Sequence, residues 1–169
     1  MDLYLLRDYI GLYAPTILFI LTIILLRNMK TYLHFFIGGF FLNAILNTIL
    51  KLIIKQPRPS KDQKAIEIGI VNGARIGFDK FGMPSGHAQM TSFCFTFITM
   101  VLNNPYISTL FLLITIVSLF QRYLYNNHTI LQLFVGTVIG LSFALLMYKI
   151  ANIYIVGPTQ IKKDDNAPI

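Results

Sequence analysis

Long apolar runs broken by short polar stretches dominate the chain, and their lengths predict its architecture. A membrane span takes about 20 predominantly apolar residues to cross ~30 Å of hydrocarbon. Five stretches qualify, at about residues 9–26, 31–54, 85–102, 106–123 and 128–156, the last long enough to tilt. The breaks carry their own signals: "RNMK" closes the first run and "NNP" (103–105) the third, while Asn126 and Asn127 suit a turn between the last two. Residues 55–83, between the second and third runs, hold Pro57, Pro59, Gly69, Gly73, Gly77 and Gly82, which exclude a long helix. The apolar segments "AIEIGIV" and "IGF" in this loop predict a folded cap. With no internal repeat, one membrane-embedded domain (1–156) and a polar tail (157–169) are expected. The expected fold is all-α, a membrane helical bundle of about five transmembrane helices. "GTVIG" (136–140) is a G-x-x-x-G pattern read as close helix packing within that bundle, which leaves the oligomeric state open.

Composition supports the membrane reading. Hydrophobic residues make up 55%, charged residues 12%, and mean hydropathy is +0.64; a soluble domain carries roughly twice that charged share. The first 26 residues lack a basic leader segment because of Asp2 and Asp8, so the opening run is expected to be a retained span. The net charge of +7 comes largely from 51–80 without an aromatic-interleaved basic stripe, which argues against nucleic acid and for anionic lipid headgroups or phosphorylated lipid. The single cysteine, Cys94, forms no intrachain disulfide and reads as a packing residue.

Span counting brings three polar clusters to one membrane face: "KLIIKQPRP" (51–59), "PSGH" (84–87) and "RYLYNNHTILQ" (122–132). They contribute the cations Lys51, Arg58 and Arg122, the hydroxyl of Ser85, a close backbone approach at Gly86, and the imidazoles of His87 and His128. Arginine's planar fork matches phosphate oxygens, lysine adds a point charge, and a helix N-terminus aims unpaired N–H groups at an anion. Each cluster also has a plainer reading, as snorkelling anchors for Lys51, Lys55 and Arg58, or as an ordinary helix start for Pro84–Ser85. Only their joint spacing lifts them above it. His34 reads as interfacial, and Tyr123 and Tyr125 as interface anchors.

In order and spacing these clusters resemble the signature of the type 2 phosphatidic acid phosphatase (PAP2) superfamily: K-x6-R-P, P-S-G-H and S-R-x5-H-x3-D. Here they stand as Lys51-x6-Arg58-Pro59, Pro84-Ser85-Gly86-His87 and Gln121-Arg122-x5-His128-x3-Gln132. The resemblance implies His128 as nucleophile through a phosphohistidine, and His87 as general acid. It implies Lys51, Arg58, Ser85, Gly86 and Arg122 as the phosphate-binding set. No carboxylate cluster suited to Mg²⁺ is evident, so no metal or other cofactor is expected.

Two positions depart from the pattern. Gln121 replaces a serine, and its amide N–H2 is a candidate substitute donor. Gln132 replaces the aspartate that would orient His128 and balance its charge; a glutamine oxygen can orient the ring but brings no charge. "RYLYNNHTILQ" and "FGMPSGHAQ" resemble the dolichyl-diphosphate phosphatase branch, where glutamine at that place is normal. That similarity implies a membrane hydrolase removing the terminal phosphate of a polyprenyl diphosphate, with Gln132 among the catalytic residues. A phosphatidate or broad lipid phosphatase, and a catalytically impaired lipid-phosphate binder, are the alternatives. Polar groups gathered at one face speak against a transporter. Nine Lys/Arg on the active face against five opposite would place that face in the cytoplasm, whereas the resemblance implies a lumenal or extracytoplasmic site.

Overall fold

The computed structural model describes residues 3–59, 70–71, 74–75 and 80–156. Among the described residues five helices form a bundle: α1 (Leu3–Leu25), α2 (Lys30–Ile54), α3 (Gly86–Leu102), α4 (Pro105–Leu124) and α5 (Ile130–Val156). All but α3 are long and apolar enough to span a bilayer. Exposed Ile20, Phe41, Ile45, Leu113 and Phe134 give these helices apolar outer surfaces suited to lipid. The chain is an integral, multi-pass membrane protein. Helices suit that solvent because each satisfies its own backbone donors and acceptors where no water can.

α3 is shorter than the other four helices and central rather than peripheral. It has 17 residues, about 25 Å at the usual helical rise, and packs against all four other helices. Its buried Phe93 and Phe97 join Phe36 of α2 in a ring cluster with centroids 5.5–6.0 Å apart. The bundle is built around α3, which fixes where its N-terminus sits.

The helix ends follow local chemistry. Asn103 closes α3 in the left-handed region at φ 46°, a conformation asparagine tolerates better than most residues. Asn104 caps α4 by accepting from Tyr106 N–H (3.0 Å) and Ile107 N–H (3.2 Å), with Pro105 in the first helical position. Asn126 turns the chain between α4 and α5 at φ 52°. α1 begins about six residues earlier than its apolar run suggests. Asp8, 7% exposed, is held there by Arg7 at 2.7 Å and by the Tyr125 hydroxyl, so its charge is accommodated inside the bundle end.

Part of the 55–83 loop is described. Strands β1 (Ile70–Val71) and β2 (Ala74–Arg75) pair antiparallel, Ile70 opposite Arg75. The loop closes at its base, where Pro57 bridges Phe81 and Gly82 N–H donates to Gln56 O at 2.8 Å. The rest of the cap expected there, including Gly69, Gly73 and Gly77, and the tail 157–169 lie outside the described residues.

The G-x-x-x-G pair lies against α3 within the chain. A Cβ on Gly136 would come within 2.6 Å of Ser85 O, and one on Gly140 within 2.2 Å of Gln89 O. α5 therefore meets the first turns of α3 backbone to backbone. Gly140→Val should lower the thermal unfolding midpoint in detergent, with a destabilisation of at least ~1–3 kcal/mol from overpacking. Gly38→Ala, where an added Cβ meets nothing within 4 Å, should hold or raise it.

Candidate active site

The three polar clusters come together at one end of the bundle. Lys51 lies in the last turn of α2, Arg58 just beyond it, and Ser85, Gly86 and His87 at the start of α3. Arg122 lies in the last turn of α4, with His128 and Gln132 at the start of α5. Contacts across these elements are direct: Arg58 Nη1 is 3.0 Å from His128 Nε2 and donates to Asn127 O at 3.1 Å. Ser85 N–H donates to Gln132 O at 3.1 Å.

Lys51 is 4% exposed and Arg122 2%, so neither is a snorkelling anchor, whereas Lys55 is exposed. Withdrawing Lys51, Arg58 and Arg122 from the nine basic residues on this face leaves six against five. The apparent orientation signal comes mainly from cations that line the site.

The tautomer of His128 follows from its partners. A guanidinium only donates, so Nε2 facing Arg58 must be the acceptor nitrogen. Nδ1 then carries the proton, donating to Gly82 O at 2.9 Å with Gln132 Oε1 as a second acceptor at 3.3 Å. Burial, followed by the positive charges of Arg58 and Lys51, pushes this imidazole well below its ordinary pKa. His87 and Arg122 act in the same direction. The ring is held neutral, with its Nε2 lone pair turned into a cationic pocket. That is the form in which an imidazole can attack phosphorus.

Gln132 organises the surrounding loops. Thr129 N–H donates to Gln132 Oε1 and Gln132 N–H to Thr129 Oγ1, both at 3.2 Å, a reciprocal capping box at the start of α5. Gln132 Nε2 donates to Pro57 O at 2.9 Å and Gln56 Oε1 at 3.2 Å. The carboxamide therefore faces His128 with its oxygen and the loop after α2 with its nitrogen. An ionised aspartate could not donate the second pair of bonds. Gly82 leaves room for this group: a Cβ there would lie 2.5 Å from Gln132 Oε1.

Ser85 is the N-cap of α3, its Oγ accepting from Ala88 N–H at 3.4 Å. The helix-start reading and the anion-site reading thus describe the same residue. His87 Nε2 sits 2.9 Å from Leu12 O on α1. Gln121 Oε1 accepts from Arg122 Nε at 2.6 Å and so orients the guanidinium, which leaves its buried Nε2 as the donor the sequence suggests.

The sequence reading missed the groups that support this arrangement. The Gly82 carbonyl is the shorter of His128's two Nδ1 acceptors, and a main-chain atom leaves no compositional trace. A buried amide ladder was legible but overlooked: Asn43, Asn47 and Lys51 recur every four residues on one face of α2. Asn47 donates to Gln89 Oε1 at 2.8 Å and Pro84 O at 3.3 Å. Gln89 Nε2 donates to Asn43 Oδ1 at 2.7 Å and its O at 3.0 Å. This ladder pins the first turns of α3 to α2.

Fold and site together define a helical membrane protein with a histidine–cation cluster at one bundle end. Residues 32–154 match the PAP2 superfamily, and the chain belongs to it. Among its curated relatives is the dolichyldiphosphatase of Saccharomyces cerevisiae (strain ATCC 204508 / S288c), 28% identical over 125 residues, covering 68% of this chain and 50% of the relative. This chain thus matches about half the length of that relative. No solved structure matches it.

The depressed His128 pKa links stability to pH. An unfolded histidine titrates near ~6.5, so the neutral buried ring contributes stability above that value, which is lost as pH falls below it. Unfolding midpoints in detergent measured from pH 7.5 to 5 should fall more steeply for wild type than for His128→Asn.

Proposed function

We propose that the protein is a membrane lipid-phosphate phosphatase that removes the terminal phosphate of a polyprenyl diphosphate through a phosphohistidine on His128. The observation that carries this reading is the orientation of His128, with Nδ1–H anchored on Gly82 O and Nε2 presented to Arg58. Arg58 Nη1 faces the attacking nitrogen at 3.0 Å. Phosphoryl oxygens, which accept more strongly than an imidazole, draw the guanidinium onto themselves and uncover Nε2.

Attack by Nε2 forms the N–P bond as the bridging P–O bond breaks, and His87 protonates the departing oxygen. Water then attacks phosphorus and returns the electron pair to Nε2. Lys51, Arg58, Arg122, the Ser85 hydroxyl and the backbone N–H at Gly86 hold the phosphoryl oxygens, where charge accumulates in the transition state. Gln132 orients His128 and ties its loop to the Gln56–Pro57 segment. Because burial, followed by the surrounding cations, disfavours protonation of His128, the ring meets the substrate in its neutral, attacking form at neutral pH.

The substrate assignment rests on the His-Thr pair, Gln132 and the Gly-Met before Pro84, supported by the similarity to a dolichyldiphosphatase. The lipid portion is expected against the apolar helix faces that leave the polar end of the bundle. The test is phosphate release from polyprenyl diphosphate and from phosphatidate, with chelator present, by membranes containing the protein. Wild type is expected to release phosphate from the diphosphate in preference. His128→Ala should lose that release. Gln132→Glu, which keeps an acceptor for His128 but faces Pro57 O with an acceptor instead of a donor, should lower it by about tenfold or more, since ~1–3 kcal/mol attends each buried polar group left unpaired. Undiminished release by His128→Ala overturns the reading. Preference for phosphatidate overturns the substrate assignment alone.

A further inference from the structure

Helix α1 precedes the residues that match the superfamily, yet residues 8–12 touch three site-bearing segments. Pro15 has no N–H, so the Gly11 carbonyl lacks its usual intrahelical donor. It accepts instead from Ser118 Oγ of α4 at 3.0 Å. One residue further, Leu12 O meets His87 Nε2 at 2.9 Å. Gly11 is packed so closely against α4 that a Cβ would lie 2.6 Å from the Cβ of Gln121, the residue whose oxygen orients Arg122. Asp8 accepts from the Tyr125 hydroxyl in the turn leading to His128.

We infer that α1 forms a further wall of the site and that the Leu12 carbonyl is the positioning group for His87. A carbonyl oxygen can only accept, so His87 Nε2 carries a proton and Nδ1 is the nitrogen that exchanges one with the substrate. His87 and His128 are thereby held in opposite neutral tautomers, one by the backbone of α1 and the other by the backbone at Gly82. The inference rests on the proposed role of His87 as general acid. In that step Nδ1 passes to the departing oxygen a proton it has taken from the bound diphosphate, as the P–O electron pair moves onto that oxygen. His87 is left neutral with Nε2–H on Leu12 O. When water attacks the phosphohistidine, Nδ1 takes the water proton and the P–N electron pair returns to His128. The Gly11–Ser118 contact and the closeness of Gly11 to Gln121 keep Leu12 O at its distance from the ring.

The test uses the full chain in detergent with ¹⁵N-labelled histidine, its resonances assigned with single substitutions of His34, His87 and His128. Wild type should show His87 as the Nε2–H tautomer and His128 as the Nδ1–H tautomer. Gly11→Val should drive α1 from α4, releasing His87 into a mixture of tautomers while His128 keeps its own. Turnover of polyprenyl diphosphate should then fall at least about tenfold in kcat, with KM little changed, because general acid catalysis contributes ~10²–10⁴. If that variant fails to fold, Ser118→Ala, which adds no volume, should shift His87 and kcat in the same direction by a smaller factor. An Nδ1–H His87 in wild type overturns the inference, as does a folded variant with the wild-type tautomer and kcat. Wild type with the assigned tautomers but no phosphate release overturns the proposed reaction while leaving the positioning of His87 standing.

Discussion

The polar end of the bundle depends on a single residue. Gln132 is 1% exposed and presents its oxygen to His128 and Thr129 and its nitrogen to Gln56 and Pro57. Its main-chain oxygen accepts from Ser85 N–H. Three segments distant in sequence are thus referenced to one residue: the segment leaving α2, the start of α3 and the start of α5. A buried amide is costly unless both its ends are satisfied, so the position selects a group with a donor and an acceptor on opposite sides. That requirement explains why glutamine differs from an aspartate in kind. It gives up a negative charge beside the histidine and gains a tie between two loops.

Burial and nearby cations together keep the ring of His128 neutral. Lys51, Arg58 and Arg122 sit around His128 in an environment of low polarity, where like charges repel more than they do in water. Burial first, and their combined field after it, disfavour a second proton on the ring, while a phosphate group placed among them would relieve their mutual repulsion. The geometry is kept by a scaffold of unusually close backbone contacts, Gly136 and Gly140 against α3, together with the Asn43–Asn47–Gln89 ladder. Hydrogen bonds of this kind hold their register in a bundle where the apolar faces alone give little directional preference.

Most of the architecture was legible because membrane helices are constrained by length and polarity. The breaks at "NNP" and at Asn126–Asn127 fell where asparagine's tolerance for left-handed backbone puts them. α3 was harder: its apolar run reads as a span, and only packing shows that it is the centre of the bundle. The early start of α1 was hidden because Arg7 and Asp8 look like a boundary until Tyr125, far along the chain, is seen to hold Asp8. In the site, charged and imidazole side chains announced themselves by type and spacing. Their partners did not, since Gly82 O, Leu12 O, Asn127 O and Pro57 O are main-chain atoms that any residue supplies. Gln121 shows the same limit in part: its N–H2 was legible as a donor, while the hold of its oxygen on Arg122 was not.

The central claim is that His128 Nε2 forms a bond to phosphorus. Brief reaction of the detergent-solubilised protein with polyprenyl diphosphate labelled at the terminal phosphate, quenched with alkaline denaturant, tests it directly. An acid-labile, base-stable label on the peptide containing His128, absent from His128→Ala, is the predicted result. A label on another residue, or rapid phosphate release with no labelled protein at any reaction time, would contradict it.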